Sequence, residues 1–117
     1  MAWRYSLRPG ILGVTRVEVR GRSMLPTYSP GDWLLALRIR PWTGCVVLVR
    51  DPRVRSRLIL KRAVRRTSDG WWVEGDSPAD STDSRAFGSV PDALVEAVVV
   101  ARYWPIRRGN VGKIVVE

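Results

Sequence analysis

Apolar and polar positions in this chain switch over short distances, at a period closer to two than to 3.6. Val14 to Val19 alternates loosely, with Glu18 between Val17 and Val19. Trp33 to Ile39 is apolar and follows Ser29-Pro30-Gly31-Asp32, a sequence that favours a tight turn. Val46 to Val49 is a short β-branched run after Gly44. Leu58 to Val64 is apolar with Lys61 in its middle, and Trp71 to Glu74 follows the turn Ser68-Asp69-Gly70. Leu94 to Tyr103, rich in valine, is the longest strand candidate. Helical periodicity is weak, with single turns expected near Ser23 to Pro26 and Pro91 to Leu94. Short apolar segments parted by Gly, Pro and Asp predict a mainly β, barrel-like or coiled-sheet domain. Ile106 to Glu117 reads as a tail or a final edge strand.

Length and composition narrow this picture. A chain of 117 residues with 45% hydrophobic residues suits one small domain with its own core, here 1–117 with a core of about 14–105. No run approaches the roughly 18 to 20 uncharged apolar residues that span a bilayer. Met1 to Gly10 carries Arg4 and Arg8 with no apolar stretch after it, unlike a secretory signal. The expectation is a soluble, cytoplasmic protein without a transmembrane anchor. With no histidine there is no Ser-His-Asp triad, no Cys-His dyad and no His-ligated zinc. The single cysteine, Cys45, excludes a disulfide framework and a CxxC metal site.

The net charge is +9, and of 20 basic residues only Lys61 and Lys113 are lysines. A GC-rich genome accounts for that ratio, but it directs attention to Lys61. Only lysine can give up its proton in a protein; guanidinium stays charged. Charge is also segregated: Arg50 to Arg66 is basic apart from Asp51, and Glu74 to Asp92 is acidic apart from Arg85. This fits a solvated basic stretch beside an acidic neighbour, or a phosphate-binding patch. The tryptophans do not interleave with the arginines along the chain. Trp33, Trp71 and Trp72 therefore read as core or groove wall rather than as a stacking platform.

Three segments carry candidate chemistry. In Gly21-Arg22-Ser23-Met24-Leu25-Pro26-Thr27, followed by Gly31-Asp32, Ser23 stands where the chain must turn. It is either a turn serine or an exposed hydroxyl with its N–H available to an incoming carbonyl. In Leu60-Lys61-Arg62-Ala63-Val64, Lys61 is either a snorkelling strand lysine or a buried amine whose charged form is disfavoured. A neutral amine within reach of Ser23 Oγ could take its proton. The third segment, Gly75-Asp76-Ser77-Pro78-Ala79-Asp80-Ser81-Thr82-Asp83-Ser84-Arg85 with Phe87-Gly88 and Val90, places hydroxyls and carboxylates in a turn-rich loop. Alone it is a structural turn with an Asp83–Arg85 ion pair.

In this order the three segments resemble the signal peptidase I family of serine proteases, from about Gly21 to Val90 and more weakly to Tyr103. The resemblance implies coiled antiparallel β-sheets and a Ser/Lys dyad that needs no metal or cofactor. It implies Ser23 as nucleophile and, through its N–H, oxyanion donor; Lys61 as general base; and Ser81 as the hydroxyl that orients the lysine. Asp83 and Arg85 resemble the ion pair that holds the loop, and Asp76 a further loop acid. It also implies an extended substrate with small side chains before the cut. The chain departs from the family at Gly21, where some members place an oxyanion-hole hydroxyl, and at Ser77, where asparagine is usual. Neither the N-terminal transmembrane helix of the family's membrane-anchored members nor the insertion domain of its larger ones is expected in it.

A narrower likeness is carried by Trp71-Trp72-Val73-Glu74-Gly75-Asp76, Ser81-Thr82-Asp83, Val90-Pro91-Asp92-Ala93-Leu94-Val95 and Arg102-Tyr103-Trp104-Pro105. These are similar to the maturation proteases of nickel-type superoxide dismutase, which implies a nickel superoxide dismutase precursor with an N-terminal propeptide as partner. The alternatives are a general signal peptidase at the membrane surface, its charge drawn to anionic lipid, and a non-catalytic β module binding nucleic acid through Arg50 to Arg66. A self-cleaving repressor domain is disfavoured by the lack of an Ala-Gly or Cys-Gly dipeptide and of a helical module. No nucleic acid partner is expected, and peripheral membrane contact remains open.

Overall fold

The computed structural model describes residues 13–103 and the backbone of 113–116. It is mostly β. Strands β1 (Val14–Val19), β2 (Trp33–Leu37), β3 (Val46–Arg50), β4 (Leu58–Thr67), β5 (Gly70–Glu74), β6 (Val95–Tyr103) and β7 (Lys113–Val116) form one sheet. Its order is β5-β4-β3-β6-β2-β1-β7. All pairings are antiparallel except β1 with β7. The sheet coils without closing into a barrel, so β5 and β7 remain edges. Register shifts at Leu35/Ala36, Leu48/Val49 and Ala63/Arg65 supply the bends, since an irregular residue in a ladder locally sharpens twist.

Strand β3 shows why the pattern there lacks polar alternation: it is buried on both faces. Val46 and Leu48 join Val17, Leu34, Leu60 and Ala97 in one core. Val47 and Val49 join Ile59, Ala63, Trp71, Val73 and Val98 in the other. The second core is capped by Val90 and Leu94 from the segment before β6. Lys61 lies on β4 opposite Val47, with the same parity as Ile59 and Ala63, so a lysine occupies a position built for an apolar side chain.

Most expected strands lie close to where the pattern puts them, with differences at the ends. Strand β2 stops at Leu37 because the Arg38 N–H turns to Gly13 O and the Ile39 N–H back to Leu37 O. Strand β4 runs to Thr67, three residues past the apolar run. Its far end pairs Arg65 with Trp72 and Arg66 with Trp71. The two guanidiniums stack on those indoles, 4.6 and 5.4 Å from the ring centres. Arginine and tryptophan, apart in sequence, thus interleave across the ladder; Trp71 is core and Trp72 half-buried. Of the expected tail or edge strand, 113–116 is the edge strand β7. Trp104, Pro105 and 106–112 lie outside the described residues, as does Met1 to Gly10.

Two members of the basic stretch are matched by the acidic one: Arg62 pairs with Asp76 and Arg66 with Asp92. The hairpin that brings them together turns at Gly70, whose φ is 152°. A Cβ there would lie 1.9 Å from the Val90 carbonyl oxygen. Gly70→Ala is therefore expected to lower stability by on the order of 3 kcal/mol, read as a drop in the urea midpoint with an unchanged slope.

Candidate active site

Ser23 sits in a compact turn between β1 and β2. The Leu25 N–H donates to Arg22 O at 3.2 Å and the Tyr28 N–H to Met24 O at 2.9 Å. Met24 is sunk in the first core, which fixes the turn from below. Gly31 N–H to Val19 O and Val19 N–H to Asp32 O close the loop at its base. The Ser23 carbonyl accepts from the Ser77 N–H at 2.8 Å, joining the serine turn to the hydroxyl-rich loop after β5.

Lys61 is 3% exposed and Ser23 6%. Burial pulls the Lys61 amine down to a pKa of about 8; Asp83 and Asp51 oppose that shift, and Arg53 and Arg85 reinforce it. Lys61 Nζ lies 3.0 Å from Ser81 Oγ, whose hydroxyl donates in turn to Asp83 Oδ2 at 3.1 Å. Burial would raise the Asp83 carboxyl. The Arg85 guanidinium, the Gly75 and Arg85 N–H groups and Ser81 outweigh it and hold Asp83 well below the usual carboxylate range. Asp83 also caps the single helical turn α1 (Ser84–Phe87), and Ser84 Oγ accepts from the Val73 N–H at 2.8 Å.

Asp76 does a different job. It accepts two bonds from Arg62, at 2.9 and 2.7 Å, and one from Thr27 Oγ1 at 2.6 Å. It thereby ties the serine turn to β4, and these bonds overcome burial to lower its own pKa. Arg62 reaches on to Gly44 O. Arg62 and Thr27 were not singled out in the sequence; their signal was proximity to Lys61 and Ser23, which does not show that one carboxylate joins them.

Ser23 and Lys61 line one cleft of about 260 Å³, with Gly21, Arg22, Arg53, Arg57, Ile59, Asp80 and Thr82. No direct hydrogen bond joins Ser23 Oγ to Lys61 Nζ among the described residues. The cleft wall is more polar than shallow pockets for small side chains imply. Arg53 is held there by bidentate bonds to Asp51, itself fully buried. No group of three or more metal-ligating side chains occurs among the described residues.

A serine in a turn, a buried amine and a hydroxyl-carboxylate loop in this order invite comparison with known proteases. No family model matches the chain. It is 33% identical to the mitochondrial ATP-independent inner membrane protease subunit 1a of Arabidopsis thaliana, over 79% of this chain and 71% of that protein. The chain belongs to the signal peptidase I-like proteases. It is also 53% identical to the mitochondrial inner membrane protease subunit 1 of Schizosaccharomyces pombe, over 73% of this chain and 70% of that protein. Subunit 2 from the same yeast is 30% identical over 79% and 66%.

These relatives correct one expectation and leave another without support. A cytoplasmic location is overturned, because the relatives are named as inner membrane proteases. The described residues indeed hold no helix long and apolar enough to cross a membrane, but that does not bear on where a signal peptidase-like domain works. None of these relatives is named for nickel superoxide dismutase maturation, so the narrower likeness gains no support.

Gly75 opens the third segment, and its part in the site is steric. A Cβ at Gly75 would lie 2.2 Å from Ser81 Oγ, 2.6 Å from Ser81 Cβ and 2.8 Å from Ser23 O. Only glycine lets the loop after β5 close on the serine turn. Gly75→Ala is expected to keep the β-sheet signal in circular dichroism but lower peptidase activity about a hundredfold, the cost of displacing a positioning group by about 1 Å.

Proposed function

We propose that this chain is a serine endopeptidase of the signal peptidase type, with Ser23 as nucleophile and Lys61 as general base, cutting polypeptides at a membrane surface. The observation that carries the reading is a buried lysine amine, anchored by Ser81, on the wall of the cleft that Ser23 also lines. The names of the relatives support the membrane setting.

The hydrogen-bond directions make Lys61 a usable base. Ser81 has one hydroxyl proton, and Asp83 takes it. Ser81 Oγ therefore accepts from the Lys61 amine. A neutral amine donating in this way keeps its lone pair for the Ser23 proton. Lys61 needs only to close on Ser23 Oγ, and such contacts are commonly long before substrate binds. As Oγ attacks the scissile carbonyl, Lys61 becomes ammonium, and Asp83, which favours the charged form, steadies it through Ser81. The Ser23 N–H makes no backbone hydrogen bond among the described residues and serves the oxyanion; such a donor contributes about 3 kcal/mol. Lys61 then protonates the leaving amine, and water hydrolyses the acyl-enzyme.

Three measurements test this. Incubated with an activated ester, the chain is expected to carry an acyl group on Ser23, located by mass spectrometry. Ser23→Ala and Lys61→Arg each remove it, and each lowers cleavage of a peptide library by about four orders of magnitude or more. Lys61→Arg keeps the charge and removes the base, so normal cleavage by that variant excludes the mechanism. Because the active amine is the neutral form, kcat/KM is expected to rise with pH below about 8 and level off above it. A flat profile from pH 6 to 9 contradicts Lys61 as base.

A further inference from the structure

The oxyanion that forms when a serine attacks a carbonyl needs donors aimed at it, and acyl-transfer sites commonly supply two. The Ser23 N–H is one. Gly21, which also lines the cleft, has no side chain to give a second. The cleft holds about 260 Å³, less than the roughly 300 Å³ at which ligand pockets usually start, so groups on its wall lie close to any carbonyl it takes in. Besides Lys61, the side-chain donors on that wall are Arg22, Arg53, Arg57 and Thr82.

Arg53 is the one held in place. Its backbone N–H donates to Asp51 Oδ1 at 2.8 Å, its Nε to the same oxygen at 3.0 Å and its Nη2 to Oδ2 at 2.7 Å. Burial would raise the Asp51 carboxyl, but the bonds to Arg53 and the Arg57 charge hold it below its ordinary value, so the partner is a fixed anion. The Arg53 guanidinium also lies over the Phe87 ring, 5.2 Å from its centre. These contacts use one edge of the fork. Nη1 makes no hydrogen bond among the described residues, and 43% of the side chain stays open. Arg22 and Arg57 are tethered more loosely, 3.7 Å from Asp80 and 3.8 Å from Asp51. Thr82 is exposed and uncharged. Arg53 also acts on the candidate base. Besides burial, the Arg53 and Arg85 charges lower the Lys61 pKa, against Asp83 and Asp51. A cation felt at Lys61 is also felt at a carbonyl lying between Lys61 and Ser23.

We infer that Arg53 is a catalytic residue of the proposed peptidase, its Nη1 donating to the tetrahedral oxyanion beside the Ser23 N–H. The inference rests on the Ser23/Lys61 reading above and adds a group to that site. The Asp51–Arg53 pair is neutral as a whole, with its negative end buried and its positive end on the cleft wall. Because it is already oriented, it need not reorganise as charge develops, which is the condition for a large electrostatic effect. A ground-state carbonyl carries little charge, so the contact strengthens in the transition state and acts on kcat rather than on KM.

A peptide aldehyde separates this role from simple substrate binding. Ser23 Oγ bonds to the aldehyde carbon, Lys61 takes the hydroxyl proton, and the carbonyl oxygen becomes the oxyanion; the matching peptide alcohol binds without that step. Arg53→Gln is expected to lower kcat about a hundredfold with little change in KM, and to weaken the aldehyde about a hundredfold with the alcohol unchanged. Arg53→Lys, with one ammonium to share between Asp51 and the oxyanion, recovers part of the loss. In Arg53→Gln the rise of kcat/KM also moves to higher pH, because a like charge that lowers the Lys61 pKa is gone. Equal weakening of aldehyde and alcohol makes Arg53 a substrate-binding group and overturns the inference. So does an unchanged kcat, or a selective loss of aldehyde binding in Thr82→Val in place of Arg53→Gln. If Arg53→Gln loses its β-sheet circular dichroism, Arg53→Lys carries the same comparison, and parent-like aldehyde binding in it overturns the inference. The peptidase reading is judged apart. A parent that never acylates at Ser23 removes both, whereas a parent that acylates, with Arg53→Gln unimpaired, keeps the peptidase and loses only this role.

Discussion

An amine buried in a β-sheet has to find a partner, and the rest of this site is arranged around how Lys61 finds one. Its position on β4 faces Val47, Ile59 and Ala63, which strip water from it and weaken its hold on a proton. Among the described residues Ser81 is the hydroxyl that bonds to it, and Ser81 is held by Asp83, which is held by Arg85 and the Gly75 N–H. Each link has its own reason to be in place, because Asp83 is also the cap of α1. Breaking the chain at any point leaves either a buried cation or a buried carboxylate without compensation, which is costly in both cases.

The same economy joins the two halves of the cleft. The serine turn touches the loop after β5 through Ser23 O and Ser77 N–H, and again through Thr27 and Asp76. Arg62, next to Lys61, grips Asp76 from the other side. The candidate nucleophile Ser23 and the candidate base Lys61 are therefore referred to a common carboxylate, although they lie on different elements. Gly75 permits the approach by having no side chain. A site assembled from loops gains precision when those loops bond to one another and to a rigid strand, as these do.

Arginine serves several separate purposes here. Arg62 and Arg66 neutralise carboxylates of the acidic stretch, Arg65 and Arg66 stack on the tryptophans of β5, and Arg53 is pinned by the buried Asp51 at the cleft. The segregated charge in the sequence is thus in part an internal pairing between neighbouring strands and loops. Arg38 and Arg40 stand on a different loop, among exposed apolar side chains. The names of the relatives overturn the cytoplasmic location that composition suggested.

Strand positions were legible in the chain because a β-branched run between Gly, Pro and Asp admits few alternatives, and the six expected strands coincide with observed ones within a few residues. The order Ser23, Lys61, Ser81, Asp83 was legible as a family pattern because residue type at a few positions carries that chemistry. Closure of the sheet was not legible, because barrel and open coil share the same alternation and differ only in whether the edge strands pair. Nor was the role of Gly75, Thr27 and Arg62, since close approach depends on where loops distant in sequence come to rest. The pKa of Lys61 belongs to the same class. A lysine's sequence neighbours show that it sits in a strand, whereas its basicity is decided by what packs across from it and by a hydroxyl twenty residues away, and only the folded chain brings those together.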